Sequence, residues 1–344
     1  MNKNIIGGKF FYDTNFLKKK KNIKGSFFYN GRSALFDLLK NKSKINRFKK
    51  IFLPAFTCKS LIEVAKKQRF KIVYYSLNSN FTPNLTTQKD SLLLLIDYFG
   101  INCSQNITLS NDLHSNQVIV DKSHTFLNKH RSNNNFNFFF SLRKFSFLNG
   151  GFHNGSTQSK QNNKVNKLFN QIIETQKEKA NYIKDIEENR NIKYEKALIH
   201  KFEDLEKKLI SNSNNVKANK VLRDLYKTYN WNFIIKRRKK NFEFLVNELK
   251  NKFEILNYNN LKENKTPIFL VLKLCSSRKR DIIRDRLIKN DIFPPIIWPK
   301  IKSLNYKKFK FENDLCTKTL CLPIDQRYDI KNMSYISEKI KEII

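Results

Sequence analysis

Residues 118–124 read Val-Ile-Val-Asp-Lys-Ser-His, and residues 138–144 read Phe-Phe-Phe-Ser-Leu-Arg-Lys. Each is a short apolar run that stops on a charge: Asp121 in the first, Lys144 in the second, with Gly150-Gly151 shortly after. Working outward, KKIFLPAF (49–56), KIVYYSL (71–77), SLLLLIDYF (91–99), NQVIVDKS (116–123) and NFNFFFSL (135–142) read as strands. SALFDLLKN (33–41) and CKSLIEVAKKQ (58–68) read as helices between them. Strand, helix, strand in that rhythm predicts a mainly parallel α/β sheet. Continuous rather than alternating apolar runs agree, because parallel strands are covered on both faces. In such sheets ligands bind where the strands run out, which is where Asp121 and Lys144 fall.

Beyond residue 160 the character changes. IKYEKALIHKFEDLEKKLI (192–210) is charged, free of Gly and Pro, and helical in period, and SNSNNVKANK (211–220) is a polar break before another helix. The last hundred residues return to mixed structure, with a strand in TPIFLVLKL (266–274) and a helix in RKRDIIRDRLIKN (278–290). An extended DIFPPIIWP (291–299) and a final helix in MSYISEKIKEII (333–344) follow. The expected organisation is a large α/β domain over 1–235, with an N-terminal arm and connecting helices, and a smaller α+β domain over 236–344.

The chain has 344 residues, 67 Lys and Arg against 30 Asp and Glu, and a formal charge of +37. That excess invites a nucleic-acid reading. The lysines are nevertheless spread along the whole chain among abundant Asn, Ile and Phe, so drift in composition accounts for them as well. No zinc-knuckle spacing, aromatic RNA-binding signature or Walker glycine loop accompanies the charge. No run approaches the roughly 20 apolar residues of a membrane span. The first residues, MNKNIIGGKFFYD, lack the pattern of a secretory signal, and five scattered cysteines without a Cys-x-x-Cys pair fit a reducing cytoplasm. His114, His130, His153 and His200 have no partners at metal-ligand spacing, so surface or core positions and no metal site are expected.

An acid and an amine at neighbouring strand ends acquire a joint purpose if the ligand is pyridoxal phosphate. A lysine forms a Schiff base with the cofactor's aldehyde, and a carboxylate keeps its ring nitrogen protonated. The phosphate needs a seat, and YNGRSALFDLL (29–39) offers one: Gly31, Arg32 and Ser33 open a helix whose free N–H groups suit an anion. Ser141, three residues before Lys144, adds a hydroxyl. A lone Asp or Lys at a strand end is ordinarily solvated surface; the ordered combination is what carries the site.

The same order, Gly31-Arg32-Ser33-Ala34, IFLPAFT (51–57), IDYFG (96–100), VIVDKSH, then SLRK and Gly150-Gly151, resembles the DegT/StrS family of pyridoxal-phosphate-dependent sugar aminotransferases. IIKRRKKNFEFL (234–245), TPIFLVL, IIWP and LPIDQRY (322–328) resemble pieces of that family's small lobe. The resemblance implies the fold-type-I architecture of aspartate aminotransferase: a mainly parallel, seven-stranded-type sheet and a smaller C-terminal domain. It further implies a homodimer with its sites near the subunit interface, Lys144 as Schiff-base lysine and Asp121 as partner of the pyridine nitrogen. His124 falls beside the cofactor's phenolic oxygen, with helix-start packing as its alternative. Arg32, Ser33 and Ser141 fall on phosphate-binding positions, and Phe56 or Cys58 packs against the ring. The implied activity is amination of a nucleotide-linked keto sugar, with glutamate as donor, for surface polysaccharides.

The chain departs from the family in three places. The Gly-Tyr-Asn-Tyr-Arg segment that serves the partner's site is absent, Asp97 stands where a His is common, and the turn before Lys144 is short. In place of the missing segment, residues 155–190 carry Lys160, Lys164 and Lys167, expected on one helical face at the partner's phosphate turn. Arg237-Arg238 is expected on a solvated helix face, Asp325 and Arg327 as an internal ion pair, and Trp298 in the core. Two other classes stay open: a non-catalytic binding or regulatory protein of this fold, and a basic nucleic-acid-binding protein.

Overall fold

The computed structural model describes residues 5–17, 23–46, 48–85, 90–101, 103, 114–128, 136–184, 191–258 and 265–343. In chain order its first strands are β1 (Ile6–Gly7), β2 (Ser26–Phe28), β3 (Lys50–Pro54), β4 (Lys71–Leu77), β5 (Pro83–Asn84) and β6 (Ser91–Ile96). They are followed by β7 (Val118–Asp121), β8 (Asn137–Ser141), β9 (Gly151–His153), β10 (Glu254–Ile255), β11 (Leu270–Lys273), β12 (Ile292–Phe293) and β13 (Thr319–Leu322). The helices are α1 (Gly31–Asn46), α2 (Lys59–Lys67), α3 (Asn163–Lys184), α4 (Ile192–Asn212), α5 (Lys220–Thr228), α6 (Trp231–Leu249), α7 (Ser277–Lys289), α8 (Lys310–Lys318) and α9 (Ile330–Ile343). The chain divides into two compact units, one of Lys9–Arg47 and Phe138–Asn230, the other of Asn4–Gly8, Phe48–Asn137 and Trp231–Ile344.

The second unit holds the parallel strands. Their order is β7-β6-β3-β4-β5, parallel from β7 to β4, with the two-residue β5 antiparallel at the end. β6 and β7 are buried along their whole length, as their unbroken apolar sequences require of strands covered on both faces. The same unit contains a three-stranded antiparallel sheet, β10-β11-β13. It packs with α6, α7 and α9 into a core that includes Leu245, Leu249, Leu272, Leu287, Leu322 and Ile336. Asp325 and Arg327 form the expected ion pair, at 2.8 and 3.0 Å.

Arg238 corrects the expectation of a solvated Arg pair. Its side chain is fully buried, donating to the Gln326 side chain at 3.2 Å and the Ile268 carbonyl at 2.9 Å. The helical period explains the split: Arg238 shares its face with the buried Ile234, Asn241, Phe242 and Leu245. Arg237, one position round, lies over the Phe233 ring instead.

The first unit carries the antiparallel order β2-β9-β8. Its outer strand, β2, is met by the break between α4 and α5: the Ala218 N–H donates to the Phe27 carbonyl at 2.8 Å, and Lys217 bridges Phe28. Lys217 in turn donates to the Lys160 carbonyl. Lys160 therefore lies ahead of α3, in extended chain, and only Lys164 and Lys167 of the expected trio are helical. The cause is the Gln161-Asn162-Asn163 start, where the Asn162 side chain accepts from the Val165 N–H and sets the first turn.

Candidate active site

In the first unit, the start of α1 and the turn after β8 are brought together. A methyl group added at Gly31 would stand 3.0 Å from the Ser141 Cβ. One added at Gly151 would collide with the Asn30 carbonyl and the Gly31 amide. Gly31 and Gly151 are what lets the backbones meet. The Leu142 N–H donates to the Gly150 carbonyl at 2.9 Å and closes the loop between them. Lys144 ends a single 3-10 turn, Leu142–Lys144, and is half-buried, while Arg143 beside it is exposed and pairs with Glu206.

The helix start itself is held by side chains. The Asn30 side chain accepts from the Ser33 N–H at 2.8 Å, and the Ser33 hydroxyl is shared with Asn30 and Ser213, at 3.1 and 2.9 Å. Ser33 thus stabilises the turn from within. Arg32, half-buried, has no ion pair among the described residues.

One turn further along α1, Asp37 is buried and receives four side chains: His153 Nε2 at 2.9 Å, Thr157 at 3.0 Å, Ser159 at 2.5 Å and Asn41 at 3.3 Å. Burial alone would raise its carboxyl, but these hydrogen bonds outweigh it and hold the acid below the usual carboxylate range. His153 is thus a core histidine, and His114 and His200 lie exposed; His130 lies outside the described residues.

In the second unit, Asp121 is the last residue of β7 and is buried, its Oδ1 accepting from the Ser123 N–H at 2.8 Å. Asp97, at the matching end of β6, is also buried and accepts from the Thr125 hydroxyl at 3.0 Å. His124 sits in a turn, not at a helix start, which corrects that alternative: Ser123–Asn128 never closes a helix. Its Nδ1 accepts from the Phe99 N–H at 3.4 Å. The ring lies between Phe99 and Trp298, 5.4 Å from the Trp298 ring and within 21° of its plane.

Phe56 is fully buried in the same group of rings, 5.2 Å from Trp298 and 5.5 Å from Tyr98, whose hydroxyl donates to the Phe56 carbonyl. Of the two residues expected to face a ligand ring, Phe56 joins this aromatic group. Cys58 precedes α2, its thiol 3.0 Å from the Ser60 hydroxyl. Between them, Thr57 was missed by sequence reasoning. It is buried, and its hydroxyl has no hydrogen-bond partner among the described residues. Only its place in the Pro-Ala-Phe-Thr turn could have marked it.

These features fit pyridoxal phosphate. The first unit offers a glycine-lined approach at a helix start, the Arg32 guanidinium and the Ser141–Lys144 turn. The second offers a buried carboxylate at a strand end, flat rings and an unsatisfied buried hydroxyl that a ligand oxygen would complete. Among the described residues, no group of three His, Cys, Asp or Glu side chains is placed to hold a metal, and no helix is long and apolar enough to cross a membrane.

No protein-family model and no curated protein matches the sequence. Solved structures do match the fold. Helicobacter pylori PseC, an aminotransferase involved in pseudoaminic acid biosynthesis, is 12% identical, with 92% of this chain and 85% of that chain covered and a TM-score of 0.64. Spr1654 of Streptococcus pneumoniae, assigned as a sugar aminotransferase, is 11% identical in its PLP form, with 98% and 93% covered and a TM-score of 0.62. A DegT DnrJ EryC1 StrS aminotransferase from Brucella abortus is 14% identical, with 92% and 85% covered and a TM-score of 0.58. Over nearly its whole length, this chain has the fold of the DegT/StrS-type sugar aminotransferases.

Proposed function

We propose that the protein is a pyridoxal-phosphate-dependent aminotransferase acting on a keto sugar carried on a nucleotide, with glutamate as donor, in surface-polysaccharide synthesis. The observation that carries this reading is the pairing of that fold with a buried acid closing β7 and a lysine in the turn after β8. Bound pyridoxal phosphate supplies the electron sink that lets an amino group pass from donor to acceptor.

In this reading Lys144 Nζ would hold the cofactor at its aldehyde end, and the same amine would be the group that moves a proton. The Asp121 carboxylate would keep a proton on the ring nitrogen, and its bond from the Ser123 N–H fixes one of its oxygens. Gly31 N–H, Arg32 and Ser141 bind the phosphate, with Thr57 as a further hydroxyl donor. Phe56 and His124, backed by Trp298, orient the ring.

We assign the 1–235 and 236–344 segments as large and small domains, the second built around the β11 and β13 core that Ile6 also joins. We also assign a homodimer in which α3, with Lys164 and Lys167 exposed, borders the partner's phosphate turn. Five cysteines, none of them joined in a disulfide among the described residues, support a reducing, cytoplasmic setting. The direct test adds pyridoxal phosphate to purified protein and then glutamate. A visible absorption band that forms and is bleached by the donor supports the assignment. A protein that stays colourless overturns it.

A further inference from the structure

The second unit has a cavity of about 950 Å3 that none of the residues discussed so far lines. It is formed by the chain from Lys300 to Asp314, starting two residues after Trp298. Four ammonium groups border it, those of Lys300, Lys302, Lys307 and Lys310, against one acid, Asp314. Asp314 is already engaged, 2.9 Å from Lys318. Glu312, the other acid of the segment, is buried and accepts a hydrogen bond from the Leu77 N–H, so its charge is committed to the core. The protein's positive excess is spread widely, but here it converges on one concavity with almost nothing to offset it.

The walls are shaped as well as charged. The Tyr306 hydroxyl accepts from the Ile301 N–H at 3.0 Å and closes the loop on itself. Lys300 Nζ stands 5.6 Å from the centre of the Tyr306 ring. The Asn305 side chain accepts from the Lys307 N–H at 3.0 Å and starts the turn that presents Lys307. Phe311 packs on Phe81, 5.7 Å away, and anchors the start of α8. A site of this volume suits a ligand the size of a nucleotide. Clustered lysines select phosphate, and an aromatic wall suits a base or sugar face.

From this geometry we infer that the 300–314 cavity binds the pyrophosphate group of a nucleotide-linked substrate. Lys302, Lys307 and Lys310 are its anion contacts. The inference rests on the aminotransferase reading and adds to it the residues that recognise the carrier. Trp298 gives the link in the chain: its ring stacks on His124, and two residues later the chain enters the cavity wall. A substrate carrier lying along this stretch of chain would meet the ring group and the lysines on residues of the same unit.

The test is calorimetric binding of uridine diphosphate, and separately of inorganic pyrophosphate, to the full chain. The triple variant Lys302→Ala, Lys307→Ala, Lys310→Ala is compared with a control of equal charge, Lys250→Ala, Lys252→Ala, Lys331→Ala, whose lysines are exposed elsewhere in the unit. The expected result is an affinity for uridine diphosphate lower by about tenfold or more in the first variant and within about twofold of wild type in the second. Unchanged melting temperatures establish that both variants are folded. Equal losses in the two variants would reduce the effect to net charge and overturn the inference, as would tighter binding of pyrophosphate than of uridine diphosphate. Failure of the aminotransferase reading is seen separately, as a protein that stays colourless with pyridoxal phosphate whatever its affinity for nucleotides.

Discussion

The helix start in the first unit and the ring group in the second hold their key residues by opposite means. Around Gly31 the chain is fixed by directional polar bonds: Asn30 and Ser213 on Ser33, then His153, Thr157 and Ser159 on Asp37. Around His124 it is fixed by flat faces, with Phe56, Tyr98, Phe99 and Trp298 packed at centroid distances of 5.2–6.2 Å. Hydrogen bonds set an atom's position and depend on protonation. The packing of Phe56, Phe99 and Trp298 sets a plane and involves no titrating group.

Several substitutions break this contrast at one end or the other. The largest effect is expected at Lys144. Lys144→Ala should lower transamination by about four orders of magnitude or more, because the proposed function gives Lys144 both the covalent hold and the proton. Its melting temperature should stay near wild type, since the side chain is only half-buried at the end of a turn. Steady-state turnover with a glutamate donor is the measurement, and normal turnover would remove Lys144 from the site.

Next comes Trp298→Ala, which tests whether the ring group acts as a structural unit. Deleting a buried indole that backs both His124 and Phe56 should cost about 3–5 kcal/mol, read as a shift in the urea midpoint. A shift under about 1 kcal/mol would mean that the rings merely coexist.

Asp121→Asn sharpens the contrast chemically. The amide oxygen can still accept from Ser123, so the turn and cofactor binding should survive, but the charge is gone. Turnover should fall by about 10²–10³-fold, the scale of one lost preorganised electrostatic contact. Full activity would show that the ring end works by shape alone.

The smallest effect separates the two ends by pH. The Asp37 carboxyl lies below its ordinary value in the folded state, so its stabilisation is complete above the unfolded value of about 4. It is lost as pH falls through the lower, folded value. Asp37→Asn should therefore flatten the acid limb of the stability curve, whereas Trp298→Ala should lower the whole curve without changing its slope. Asp325, held low by Arg327 against its own burial, contributes to the same limb from the second unit, so the flattening will be partial. An unchanged acid limb in Asp37→Asn would deny Asp37 that role.

Much of this was legible in the sequence, for a physical reason. β6 and β7 are unbroken apolar runs, and Asp121 stands out because it ends one of them. What escaped was set by tertiary contact. β2 and β9 have three residues each, too few to show a period. Asp37 and His153 lie 116 residues apart, and nothing local marks either as the other's partner. Arg238 was misplaced because, in so basic a chain, one more Arg on a helix reads as surface; only the helical period separates it from Arg237. Thr57 shows itself only through the hydrogen bond it lacks.

The outermost strands carry a last consequence. In the first unit, the free side of β2 is taken up by Lys217 and Ala218; in the second, the row ends in β5, two residues long and containing Pro83. An unguarded strand edge is a template on which another copy can add and polymerise. Both of these ends are blunted, one by a strip of its own chain and the other by brevity and a residue that cannot donate. Self-association by continuing a sheet from molecule to molecule is thereby closed off at these two strands.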